Sequence, residues 1–250
     1  MISIIKWEMK KSMKIGVVIL WLNALIASYS FVNKSDVVNV MYTSIFNKYY
    51  KLIPLVLFTM FIMFSGSFTN EYNRNMKGLI TSSKAGTKQF VLSKFIANGI
   101  CASVINLSML SVMVLKTMSN FGLEGLNLPV KELGNFSRAT SDITVLQMLL
   151  ILSITLIMGS FLFAALGLYL SSVNKKSTVP FIVGIILAGL PMMETLPDVI
   201  RINSPLYGMY SQQLIMLNAP ISSFIVFVAT VIAGSTALYQ LTKKAFLKEA

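Results

Sequence analysis

Six long apolar stretches take up most of this 250-residue chain, at about 15–32, 52–69, 95–115, 144–170, 179–196 and 220–241. Each is about as long as a helix must be to cross a hydrocarbon core of roughly 30 Å at 1.5 Å per residue. None holds Lys, Arg or Asp, and the only charge within them is Glu194. Lipid offers no partner to backbone N–H and C=O groups, so such segments must bond internally as helices. The expected fold is therefore an all-α integral membrane protein in one transmembrane domain, 1–250, with six transmembrane helices.

The charges say which side each connection faces. Of 21 Lys and Arg, 14 fall in the segments 1–14, 70–94, 171–178 and 242–250, and 7 in the alternate connections. The nine acidic residues lean the other way, three against six. By the positive-inside rule the first set is cytoplasmic, as are both termini. The net charge of +12 then reads as a topology and headgroup signal rather than a nucleic-acid footprint, because no basic run is long enough for a binding arm. This predicts a multi-pass membrane protein with no nucleic-acid partner.

Several chemistries are excluded. The chain has no histidine, which removes His-ligated metal sites and His-dependent serine proteases. Its one cysteine, Cys101, sits in an apolar stretch and reads as a packing residue. No CxxC and no GxxxxGK[ST] occurs, so the chain forms no usual phosphate-binding loop for ATP. The basic start before an apolar run resembles a signal peptide. However, the run is too long for one and no A-x-A site follows, so the first helix is expected to be retained.

Outside the spans, five segments carry information. Ile2, Ile5, Met9 and Met13 share one helical face, with Lys10, Lys11 and Lys14 away from it, which predicts an interfacial helix over 1–14 with Trp7 near the headgroups. The connection 33–51 is polar, and its Tyr42, Tyr49 and Tyr50 read as interfacial anchors. The connection 116–143, with Gly122, Gly125, Pro129 and Gly134, reads as an irregular loop with room for one short helix. The segment 197–219, broken by Pro197 and Pro205, is too apolar for a plain loop and too broken for a span. It is expected to form a re-entrant or interfacial helical pair, a simple long loop being the alternative. Small residues four apart, Ser160/Ala164, Gly184/Ala188 and Ala229/Ala233, are candidate close-approach sites.

The segment 70–94 is the most telling. An acid, Glu71, closes the second span; then come Arg74, Lys77, Gly78, the apolar pair Leu79-Ile80, a serine turn at Ser82-Ser83 with Lys84, and Lys94 opening the third span. Thr87 is a candidate N-cap for the next helix. With the six-span layout, the flat N-terminal helix and the Ser204-Pro205-Leu206 run before the last span, the chain resembles the permease subunits of type-two ABC exporters. The resemblance covers nearly the whole chain. Members often carry proline after the turn serine, where this chain has Lys84.

That resemblance implies a half-transporter that pairs with a second copy of itself or a related permease, and with a separate ABC ATPase. ATP and Mg would be used by the ATPase, and this chain would bind no cofactor and be no enzyme. Glu71, Arg74, Lys77, Gly78, Leu79, Ile80, Ser83, Lys84 and Trp7 would couple to the ATPase. Phe61, Phe64, Phe181, Ile185, Leu190 and Met193 are candidates for the path or gate. Pro191 should bend the fifth span and place Leu190 and Met193 at a two-fold outer gate. An amphipathic or hydrophobic peptide, of the phenol-soluble modulin kind, is the expected solute. A drug, bacteriocin or lipid-linked molecule is the alternative, and a non-transporting immunity or scaffold subunit is the alternative of another class. An intramembrane enzyme built on Glu194 and Asp198 would need two carboxylates at a helix end beside Pro197, where solvation is the ordinary explanation.

Overall fold

The structure is a computed structural model. It describes the whole chain except residues 33–36, 83–85, 138, 140–141, 194 and 249–250, and the side chains of Lys77, Thr81 and Lys248. Ser83, Lys84 and Glu194, which the sequence singles out, therefore lie outside the described residues, as does the side chain of Lys77. The described part is all-helical. Four helices are long and apolar enough to cross a membrane: α4 (Ile53–Asn73), α6 (Gly86–Phe121), α7 (Val145–Ser172) and α12 (Ile221–Lys248). That is the make-up of a multi-pass membrane protein.

The first expected span is a helix that falls just short of span length, and the fifth is cut shorter still. α1 (Ile2–Ser12) and α2 (Ile15–Phe31) are separate helices whose axes bend by 73°, and they reach span length only if counted together. The chain turns at Lys14, which is extended (φ −68°, ψ 158°). α2 alone has 17 residues, roughly 26 Å. The fifth stretch, expected as one bent helix over 179–196, is cut short. α8 (Thr178–Gly189) has 12 residues, roughly 18 Å, and a 3-10 turn over Leu190–Met192 follows it. Pro191 lacks the N–H that would continue the helix, and Met193 is already extended (φ −70°, ψ 118°).

α7 is the central post. It packs against α6, α4, α12 and α8, and its Thr144 N-cap with Gln147 forms a reciprocal capping box. α4 joins α7 and α8 through aromatic rings seated on glycines. A Cβ at Gly167 or Gly184 would overlap the rings of Phe64 and Phe61 respectively. Glycine here allows the helices to close, as small residues do in membrane bundles. Gly184 and Ala188 both face inward, as their spacing suggests, and so do Ser160 and Ala164, whereas Ala229 and Ala233 of α12 point outward. The packed side of α12 is carried instead by Ser223, Phe227 and Val231.

Two of the connections are more ordered than their composition implies. Most of 33–51 is α3 (Val38–Lys51), whose Met41, Tyr42, Ile45, Phe46 and Tyr49 are fully buried. Tyr42 and Tyr49 are thus core residues and not interfacial anchors. Tyr49 Oη donates to the Asn106 carbonyl at 3.0 Å. Phe46 meets Phe136 edge-on at 5.7 Å, so α3 and the 3-10 turns at Val130–Glu132 and Gly134–Phe136 cap one end of the bundle. The segment 197–219 forms three short helices, α9 (Asp198–Ile202), α10 (Pro205–Met209) and α11 (Ser211–Met216). α10 is buried against α7 and α12 and α11 against α7, with Leu206, Tyr207, Met209, Tyr210 and Leu214 in the core.

Candidate functional site

At the end of the bundle opposite α3, α1 crosses α6 and α4 and brings four charges into the interior. Lys94 of α6 is completely buried. Its ammonium donates to Glu8 Oε2 of α1 at 2.8 Å, to Glu71 Oε1 of α4 at 3.1 Å, and to the Ser67 carbonyl at 2.9 Å. Glu8 and Glu71 are each about 1% exposed. Lys11 of α1 closes the set by pairing with Glu71. Two carboxylates thus meet two ammoniums, and the cluster is neutral in sum. Beside it, Ser12 Oγ donates to Asn98 Oδ1 at 3.1 Å, and Asn98 Nδ2 donates to the Lys94 carbonyl at 2.8 Å. α1 is therefore latched to the bundle by polar groups.

This differs from the expected geometry of α1. Met9 and Met13 do rest against the apolar core, but the residues buried deepest on the helix are Glu8 and Ser12. Trp7 is 52% exposed, with Lys11 Nζ 4.9 Å from the ring centroid. Buried charge is costly without partners and good geometry. Glu8 Oε1 and Glu71 Oε2 have no partner among the described groups, so the cluster has no interaction to spare.

Lys94 also faces an aromatic cluster. Its ammonium lies 4.7 Å from the Phe90 ring and 5.4 Å from the Phe68 ring, within cation–π reach. Phe68 and Phe90 pack on Phe246 near the end of α12 at 5.3 and 6.1 Å, and Tyr72 stacks on the same ring at 6.0 Å. Ile80 joins this cluster from α5 (Lys77–Ser82), the six-residue helix between α4 and α6. A side chain at the tip is thus connected by direct packing to the lysine that holds α1.

The residues expected at this end fall into distinct places. Glu71 is inside the charge cluster. Arg74 is exposed at the C-terminus of α4. Gly78 and Leu79 are exposed, Leu79 at 70%, whereas Ile80 is buried. The apolar pair is divided because neighbours on a helix point about 100° apart. α6 starts at Gly86 (φ +63°), one residue before the expected N-cap Thr87. The path candidates divide likewise. Phe61 and Phe64 are fully buried between α4, α7 and α8, and Phe61 meets Phe64 edge-on at 5.7 Å. Phe181 and Ile185 are half-buried, Phe181 edge-on to Phe58 at 5.2 Å. Leu190 (39%) and Met193 (57%) face outward. Asp198 is exposed and pairs with Arg201 at 3.1 Å.

Glu8 and Lys94 are the members whose role the sequence did not reveal. One signal was present: Glu8 is the only acid in the first 35 residues, within a strongly basic stretch. The chain shows no match to any family model, curated protein or solved structure.

The cluster predicts a specific stability pattern. Lys94→Met leaves two buried carboxylates facing one partly exposed lysine and should cost about 3–5 kcal/mol. Combining it with Glu8→Gln and Glu71→Gln should restore a large part of that loss. Thermal unfolding of the purified chain in detergent measures both. Equal destabilisation by the single and triple variants would mean that the four charges do not act as a unit.

Proposed function

We propose that this chain is the membrane-spanning half of an ATP-driven exporter of the type-two ABC kind. It would dimerise with its own copy and be driven by a separate ATPase. One observation carries the reading: α5 offers exposed Leu79 to the exterior while its neighbour Ile80 packs into the aromatic cluster on Lys94. A protein pressing on α5 therefore has a short physical route to α1 through Ile80, Phe90 or Phe68, Lys94 and Glu8. Coupling needs such a contiguous chain between a docking surface and an element with two arrangements. α1, held by a neutral charge cluster more than by a large apolar face, is the element suited to shift.

In this reading the membrane is crossed six times, with α2 and the short α8 as the first and fifth spans, the segment α9–α11 re-entrant, and both termini cytoplasmic in a bacterial cell membrane. The outward apolar side chains of α2 (Ile15, Ile19, Leu22, Ile26) and α8 (Ile182, Ile186, Leu187) support contact with lipid or a second copy. An amphipathic or hydrophobic peptide is the solute class such an apolar surface suits. ATP and Mg would be bound by the partner.

Topology is tested by cysteine labelling in a Cys101→Ser background. Substitutions Ser82→Cys and Ser177→Cys should react with an impermeant maleimide only after the cells are opened, and Asn127→Cys in intact cells. Labelling at position 82 from outside would invert or break the six-span arrangement.

The ATPase interface is tested at the divided pair. With an ABC ATPase co-expressed, Leu79→Asp should reduce co-purification at least about tenfold, since an apolar contact would have to take a charge, while the melting temperature stays near wild type. Ile80→Asp should lower the melting temperature itself. Capture of no ABC ATPase by the wild-type chain from its native membrane would contradict the reading.

A further inference from the structure

The crook between α1, α2 and the end of α4 holds a cleft of about 420 Å³, lined by Trp7, Lys10, Lys11, Lys14, Asn70 and Arg74. The polar side chains facing it are rich in donors: three ammoniums, a guanidinium, an amide and an indole N–H. No carboxylate lines it. Lys11 is answered by Glu71, but Lys10, Lys14 and Arg74 form no ion pair among the described residues. Two donors converge over Gly66 of α4: a Cβ there would stand 2.9 Å from both Lys14 Nζ and Asn70 Nδ2. The cradle thus depends on the missing side chain. Partial burial holds the Lys14 ammonium below the ordinary lysine range, and Lys11, Lys94 and Arg74 push it further down. Cations this close repel one another, and an anion between them relieves the repulsion.

We propose that this cleft binds a phosphate-bearing anion, with Lys14, Lys10 and Arg74 as its charged partners and Asn70 as a neutral donor. Arginine and lysine together suit this ligand: the guanidinium offers two parallel donors and the ammoniums act as point charges. Two sources share the chemistry, the headgroup of an anionic lipid and free phosphate. The 73° bend between α1 and α2 sets the cleft at headgroup depth when α2 crosses the bilayer, with half-exposed Trp7 beside it. The inference needs α2 to cross the bilayer only for the lipid source, and it does not need the chain to export anything.

Calorimetric titration of the purified full-length chain in neutral detergent tests this. The ligands are dioctanoyl-phosphatidylglycerol, dioctanoyl-phosphatidylcholine and inorganic phosphate. Saturable binding of an anion is expected, weaker at higher salt and about tenfold weaker in Lys14→Gln and in Arg74→Gln. Lys6→Gln, an equal change of charge on the exposed side of α1 outside the cleft, should bind as wild type. Phosphatidylglycerol binding that phosphate does not compete with assigns the lipid source, and phosphate binding of equal strength assigns the free ion. The proposal is overturned if neither anion binds, if phosphatidylcholine binds as well as phosphatidylglycerol, or if Lys6→Gln weakens binding as much as the cleft variants.

Discussion

An ammonium group inside a bundle of apolar helices cannot be left alone. Lys94 is fully buried, and its charge is tolerable only because Glu8 and Glu71 reach it from two other helices. That requirement fixes the position of α1. The helix has few deeply buried apolar side chains to hold it, and its most buried residues are the ones that answer Lys94 and Asn98. Removing the ammonium would leave the carboxylates stranded, a worse state than never having buried them.

The same lysine sits between two kinds of cohesion. On one side are four charges whose attraction depends on geometry over a few tenths of an ångström; on the other is a ring cluster from α4, α6 and α12 that also seats Ile80. Apolar contacts are non-directional, whereas a charge cluster has few acceptable arrangements. A tip helix that shifts would therefore be expected to switch α1 between discrete positions and not slide it smoothly. The far end of the molecule is held differently, by Tyr49, Asn106, Tyr210 and Ser160 in one hydrogen-bonded set, which ties α3 and the α10–α11 segment to the central helices.

The membrane helices were legible because long uncharged runs leave the backbone one solution, so α4, α6, α7 and α12 lie where hydropathy puts them. Shorter elements were not. α3 lies in a segment that is polar on average, yet Met41, Tyr42, Ile45, Phe46 and Tyr49 recur at one, three, one and three residues, a helical stripe hidden by Asn and Lys on the other face. Adjacency suggests one docking pair at Leu79 and Ile80, although adjacent helical residues diverge. The latch is legible only in fragments: Glu71 and Lys94 stand out along the chain, but their joining with Glu8 does not, since the members stand 86 and 23 positions apart and charge pairing at that distance leaves no periodic trace. Pro191 is expected to bend the fifth span, but the helix ends at Gly189 and a 3-10 turn over Leu190–Met192 follows.

The central claim is that α1 is latched onto α6 by buried polar contacts. Its most direct test is a crosslink at the Ser12–Asn98 contact, where the side chains meet at 3.1 Å. With Cys101, the only native cysteine, replaced by serine, the pair Ser12→Cys and Asn98→Cys should form an intramolecular disulfide under mild oxidation. Both thiols should lose maleimide reactivity together, and each single variant should remain reactive once unfolded. A folded, monodisperse double variant whose thiols both stay free under oxidation would contradict the latch.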